Sequence, residues 1–193
     1  MSRDPLGRYY TDDRLALACL QWLARRVAAP DVVLEPCSGG GAFGRAGAEV
    51  WAVGALGCDI DPDAAPGYPC ERVAAADWRP KLEPGQSPII VTNPHYVGVY
   101  ETVRDMRALQ SALRAPVLGL LLRATTIEQL MNQTDPPHMM AVSSQRPRWG
   151  GPGGAVLGSG DTCGSVFCVW HRGPFQPATT IHGLGDWRPR GRA

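Results

Sequence analysis

Ile89-Ile90-Val91-Thr92-Asn93-Pro94-His95-Tyr96 is the stretch on which the reading of this chain turns. Its apolar start reads as a short buried strand. Pro94 stops further pairing and holds the residue before it in extended geometry. Asn93 is thereby expected at a strand end, where open α/β sheets place their ligands. The Asn93 amide oxygen and the Pro94 carbonyl are two acceptors close together, and Pro94 has no N–H. Such a pair suits an NH2 group. Tyr96 adds a flat face on which a planar base can stack. The plainer alternative is that Asn-Pro-His-Tyr is only a turn.

Two acceptors on one aromatic amine have a chemical consequence. The amine lone pair is delocalised into its ring and is a poor nucleophile. Holding both hydrogens out of the ring plane localises that pair. The effect is one of positioning and electrostatics.

The other informative residues lie upstream. Asp31-Val32-Val33-Leu34-Glu35 reads as a first strand running into Pro36-Cys37-Ser38-Gly39-Gly40-Gly41. Glycines after a strand let the backbone come close to a ligand. A dinucleotide fingerprint would be Gly-x-Gly-x-x-Gly opening a full-length helix, whereas here the glycines are contiguous and Glu35, at the strand end, is negative where a dinucleotide would place its pyrophosphate. That favours a cationic ligand over a phosphate, unless the stretch is merely a Gly-rich turn. A second strand is expected from Val53 to Ile60, ending in Asp59-Ile60-Asp61-Pro62. An acid there can accept from both hydroxyls of a ribose, or can be an ordinary strand-end acid. Arg72 to Ala76 reads as a weak third strand ending in Asp77-Trp78. Ahead of all these, Tyr9-Tyr10-Thr11-Asp12-Asp13 reads as a helix start with Thr11 as the cap. Leu15, Cys19, Trp22 and Leu23 then form one face of a helix reaching about Val27.

Downstream, a helix is expected over 100–114, strands over 116–122, 139–143 and 165–170, and a short helix through Met131. The Pro- and Gly-rich stretch 62–70 leaves little room for a helix. Between the last two strands, Arg146, Arg148 and Trp149 precede a Gly-rich loop. Arg side chains suit backbone phosphates and Trp149 suits stacking, unless the loop is merely a long hairpin connection.

At 193 residues, one domain over 1–173 is expected, with 174–193 as a flexible basic tail. The overall charge is +1, yet from Ser143 onward there are six Arg against two Asp. That suits a nucleic-acid groove or a solvated surface. No apolar run approaches a membrane span and no signal-peptide core opens the chain, so a cytoplasmic protein is expected. The six cysteines show no Cys-x-x-Cys pair and no zinc-ligand spacing, so reduced, mostly buried thiols and no structural metal are expected.

In this order the motifs resemble the amino-group DNA methyltransferases that use S-adenosylmethionine and carry an (Asp/Asn/Ser)-Pro-Pro-(Tyr/Phe) motif. The similarity is greatest to the small adenine N6-methyltransferases of phages and prophages, and it spans about residues 9–170. The chain departs from them at His95, where the family has a second Pro. The resemblance implies a Rossmann-like class I methyltransferase fold, a mostly parallel seven-stranded sheet whose seventh strand is antiparallel, with helices on both faces. It implies S-adenosyl-L-methionine as cofactor. Tyr10 and Thr11 would touch its methionine end, and Glu35, Gly39 and Gly41 would be the first glycine motif. Asp59 would hold the ribose, with Ile60 against the adenine and Asp77 at its amine, while Trp78 would cover that adenine or simply be core. Asn93, Pro94, His95 and Tyr96 would form the catalytic loop. It implies DNA as partner, with the target adenine flipped out of the duplex. An N4-cytosine, RNA or protein-glutamine acceptor, or a module that binds the cofactor without turnover, are the other readings.

Overall fold

Strands that are apolar on both faces must be covered on both faces, and this chain does so with helices. In the computed structural model, the described residues are 10–95, 98–143, 164–172 and 179–185. They form, in order, α1 (Asp13–Ala24), β1 (Val32–Pro36), α2 (Ala42–Trp51), β2 (Gly54–Cys58), β3 (Cys70–Glu71), β4 (Pro88–Thr92), α3 (Val99–Ala112), β5 (Val117–Arg123), a 3-10 turn (Ala124–Thr126) leading into α4 (Ile127–Met131), β6 (Met139–Val142), β7 (Ser165–His171) and β8 (Thr180–Gly183). One sheet takes them in the order β3-β2-β1-β4-β5-β7-β6-β8. Strands β3 through β5 are parallel, with Val33 opposite Ala55 on one side and Ile89 on the other. Strand β7 is antiparallel to both β5 and β6.

Alternation within the strands divides the core. Val33, Ile89 and Val91 point to the face covered by α1 and α2, with Leu15, Cys19, Leu23 and Phe43. Leu34, Ile90, Leu118 and Leu120 point to the other face, with Val103, Met106 and Leu109 of α3. Strands β1 and β4 are buried along their whole length. Cys19, Cys58 and Cys168 are buried free thiols, while Cys70 is exposed.

The chain leaves β1 toward β2 and β3 on one side, then returns to place β4 on the other. The C-terminal ends of β1 and β4 therefore flank the point where strand order reverses. Doubly wound sheets open a crevice at that point.

Four expectations are corrected. The cap of α1 is Asp12, whose side chain accepts from the Arg14 N–H, not Thr11. The third strand is Cys70–Glu71, not 72–76. Backbone bonds from Gly57 N to Pro69 O and from Asp59 N to Glu71 O fix that register earlier in the chain. Trp78 is 1% exposed and belongs to the α3-side core. Its indole N–H donates to Glu71 at 3.1 Å, which places it in the core, the other reading of this residue. Finally, the sheet has eight strands. Residues 180–183, within the stretch expected to be a flexible tail, pair in parallel with β6. Among the described residues, no helix is long and apolar enough to cross a membrane.

Candidate active site

The loop leaving β1 is bent by three left-handed residues, Cys37 at φ 57°, Gly39 at φ 49° and Gly41 at φ 76°. Ser38 ties the bend together. Its hydroxyl donates to Glu35 O at 2.6 Å, and its N–H donates to Cys58 O at 3.1 Å. Gly41 then takes the N-cap position of α2 and has no side chain with which to cap it. Glu35 supplies the missing acceptor from below. Its carboxylate accepts the N–H groups of Phe43 at 3.2 Å and Gly44 at 2.7 Å, and the hydroxyl of Tyr68. Burial pushes the Glu35 carboxyl up to about 7, while the Tyr68, Gly44 and Phe43 bonds and the nearby Arg45 charge hold it from rising further.

Beside this loop, Asp59 follows directly on β2. One carboxylate oxygen accepts the Gly39 N–H at 2.8 Å, and the other accepts the Asp61 N–H at 2.9 Å. Asp61, itself buried, accepts the Asp63 N–H at 3.0 Å and the Tyr10 hydroxyl at 3.2 Å. The Tyr10 ring lies over the glycines; a Cβ on Gly39 would stand 2.8 Å from it. Ile60 projects outward, 61% exposed. Asp77 is also exposed, in the turn after β3.

The end of β4 is fastened to the end of β1. Thr92, fully buried, donates its hydroxyl to the Pro36 carbonyl. The next residue, Asn93, is half-buried, and Pro94 is buried behind it. The His95 N–H points at the Cys37 sulfur, and burial together with the Asp59 charge pushes that thiol up to about 12. The Thr102 hydroxyl of α3 donates to His95 O at 3.1 Å, while the His95 side chain is exposed.

Asn93 shares one small pocket with Tyr10, Thr11, Glu35, Cys37, Ser38, Gly39 and Ala42. The structure thus brings Tyr10, Thr11, Glu35, Gly39 and Asn93 together. Asp59 adjoins them through its bond to Gly39, and Gly41 underlies them at the start of α2. Trp78 is not among them, and Asp77 bonds only locally, its N–H donating to Ala74 O. Tyr96, Arg146, Arg148 and Trp149 lie outside the described residues.

No protein-family model matches this chain, and no curated protein matches it. Solved structures do. A protein of Pyrococcus horikoshii provisionally named an RNA methyltransferase matches at a TM-score of 0.61 and 10% identity, over 86% of this chain and 88% of that one. The chain has the class I methyltransferase fold. The 23S rRNA methyltransferase ErmE matches at 0.54 and 13% identity, over 86% of this chain and 70% of ErmE. The methyltransferase subunit of a type I restriction-modification system from Streptococcus thermophilus matches at 0.56 and 12% identity, over 88% of this chain but only 46% of that subunit.

Two residues of the site escaped the sequence reading. Arg45 donates to Gly40 O and to Pro66 O, and pairs with Asp13 at 2.6 Å, so it clamps the glycine loop to α1 and to the segment after β2. Tyr68 reaches Glu35 through a gap between Gly44 and Gly57. A glycine inside a helix and another inside a strand were the available signal, since both mark a close approach.

Proposed function

We propose that this protein transfers a methyl group from S-adenosylmethionine to the N6 amine of adenine in DNA. The observation that carries the reading is the placement of Asn93. It stands at the end of β4 in one pocket with Gly39, Tyr10 and Thr11, at the reversal point of a methyltransferase-type sheet.

The residues present suit the cofactor. Asp59, directly after β2, carries a carboxylate that keeps lone pairs for two ribose hydroxyls beyond the two N–H groups it already accepts. Exposed Ile60 next to it offers an apolar surface for an adenine ring. Gly39, with no Cβ, allows a ligand to lie against its backbone. Tyr10 and Thr11 border the pocket on the side where the methionine end would lie. Glu35 supports the loop from beneath. Bound there, S-adenosylmethionine supplies an electrophilic methyl group on a sulfonium centre.

Asn93 Oδ1 and the Pro94 carbonyl are assigned the two hydrogens of the target amine. Holding them out of the base plane localises the nitrogen lone pair, and the contact tightens as the nitrogen becomes tetrahedral. Tyr96 is assigned to stack on the flipped base, and Arg146, Arg148 and Trp149 to hold the strand around it. His95 replaces a loop Pro.

The test is incubation with methyl-labelled S-adenosylmethionine and unmethylated DNA or RNA, followed by nucleoside analysis. N6-methyladenine in DNA is the expected product. Label in RNA or at cytosine N4 would move the acceptor and leave the amine chemistry standing. Cofactor binding with no label in any nucleic acid or protein would replace the enzyme with a binding module.

A further inference from the structure

Tyr68 comes from the segment between β2 and β3, where no helix forms. Its ring enters a slot between α2 and β2. A Cβ on Gly44 would lie 2.7 Å from Tyr68 Cζ, and one on Gly57 would lie 2.9 Å from Cε2. Both walls of the slot exist only because those residues are glycines. At its end the hydroxyl meets Glu35, whose carboxylate also holds the first turn of α2. We propose that Tyr68 is a positioning residue: by donating to Glu35 it locks that carboxylate under α2 and so fixes the Gly39–Gly41 loop. The importance of that loop rests on the cofactor reading above.

The arrangement predicts a pH signature. The Glu35 carboxyl stands at about 7 in the fold against an ordinary 4.5, with burial as the main cause. A carboxyl raised on folding costs stability as pH climbs from its unfolded value through its folded one. The Tyr68 hydroxyl offsets part of that cost, because it donates to the charged form. Tyr68 stays neutral throughout, since burial and Glu35 both push its own ionisation up. The other charged or titratable groups facing Glu35 are Arg45 on α2, Cys37 on the loop and Cys70 on β3. Burial raises both thiols. Among these facing groups, Glu35 is the one whose carboxyl is brought to about 7, inside the span from pH 5.5 to 8.5.

The experiment is thermal melting of the cofactor-free wild type, Tyr68→Phe, Glu35→Gln and the double variant at pH 5.5 and 8.5. Binding of S-adenosylhomocysteine is measured alongside by calorimetry. Tyr68→Phe keeps the ring and removes only the hydroxyl. Its melting deficit should be wider at pH 8.5 than at pH 5.5 by about 3–10 °C, from the worth of a hydrogen bond to a charged group in a chain of this size. In the Glu35→Gln background the deficit should no longer depend on pH. S-adenosylhomocysteine should bind Tyr68→Phe about three- to tenfold more weakly at pH 8.5, as expected for one lost loop contact. A deficit equal at both pH values would make Tyr68 a packing residue and overturn the proposal. So would wild-type affinity in a variant that melts as expected, because the loop would then not depend on Tyr68. If Tyr68→Phe fails to fold at pH 8.5, folding at pH 5.5 or rescue by Glu35→Gln supports the proposal, and failure of both overturns it. A wild type that melts as expected but does not bind S-adenosylhomocysteine overturns the cofactor reading and leaves the role of Tyr68 in place.

Discussion

Replacing Asp59 with Ala separates two jobs that the structure gives to one carboxylate. The first is internal: its oxygens accept the N–H groups of Gly39 at 2.8 Å and Asp61 at 2.9 Å, bracing the glycine loop against the end of β2. A hydrogen bond to a charged group contributes about 1.5–3 kcal/mol, and about 1 kcal/mol each remains here once water refills a half-exposed position. The loss of about 2 kcal/mol corresponds to a melting point lower by about 4–8 °C. The second job belongs to the proposed cofactor, whose ribose hydroxyls lose their acceptor. A further loss of about 3 kcal/mol in binding is a dissociation constant about 100-fold weaker. Differential scanning fluorimetry reads the first effect and calorimetry with S-adenosylhomocysteine reads the second. Asp59→Asn should fall between wild type and Asp59→Ala in melting, because its NH2 group faces a backbone N–H where an oxygen had been. Wild-type affinity in a folded Asp59→Ala protein would refute the ribose assignment. A lower melting point with unchanged affinity would leave Asp59 as a brace alone.

Three other outcomes are expected. Asn93→Ala should lose methyl transfer by roughly 10²–10³, by analogy with removal of one pre-organised hydrogen-bonding group from a transition-state site, while S-adenosylhomocysteine affinity holds. Asn93→Asp should keep activity, and near wild-type turnover in Asn93→Ala would move the amine away from this strand end. His95→Pro should methylate at or above the wild-type rate, since it gives up only an N–H pointed at the Cys37 sulfur; a deep loss, with an acid limb of the wild-type pH–rate profile vanishing, would make His95 a proton acceptor instead. Gly41→Ala should cost about 2–4 kcal/mol in urea unfolding, combining left-handed strain with overpacking, because φ is 76° there and the new Cβ would sit 2.6 Å from Pro66 Cα; a cost under about 0.5 kcal/mol, the size of a neutral surface change, would contradict that geometry.

What the sequence disclosed and what it hid divide along a physical line. Ile89 to Thr92 and Val32 to Glu35 were legible because a buried parallel strand is apolar without interruption, and Pro94 and the glycines marked where each strand ends. The glycine loop, Asp59 and Asn93 were legible because each needs a residue type that little else at a strand end requires. The rest depended on partners far away in the chain. Strand β3 takes its register from Gly57 and Asp59, so the local pattern at 72–76 misled. Trp78 could have covered the adenine or packed the core, and only its bond to Glu71 in β3 puts it in the core. Thr11 and Asp12 are both good caps, and only the fold chose Asp12. Tyr68 was invisible because its slot is assembled from Gly44, Gly57 and Glu35.

The eighth strand has a practical consequence for anyone who trims this protein. The composition after residue 173 invites removal of the tail. Yet Thr180–Gly183 pairs with β6 along Met139, Met140, Ala141 and Val142, and the Thr180 N–H donates to His138 O at 3.0 Å. A chain cut at residue 178 would turn β6 into the sheet margin and bare the polar backbone of four apolar residues. Such a margin is a template for intermolecular pairing. A shortened protein that precipitates would then report the loss of this strand, not a defect in the pocket on the other side of β4.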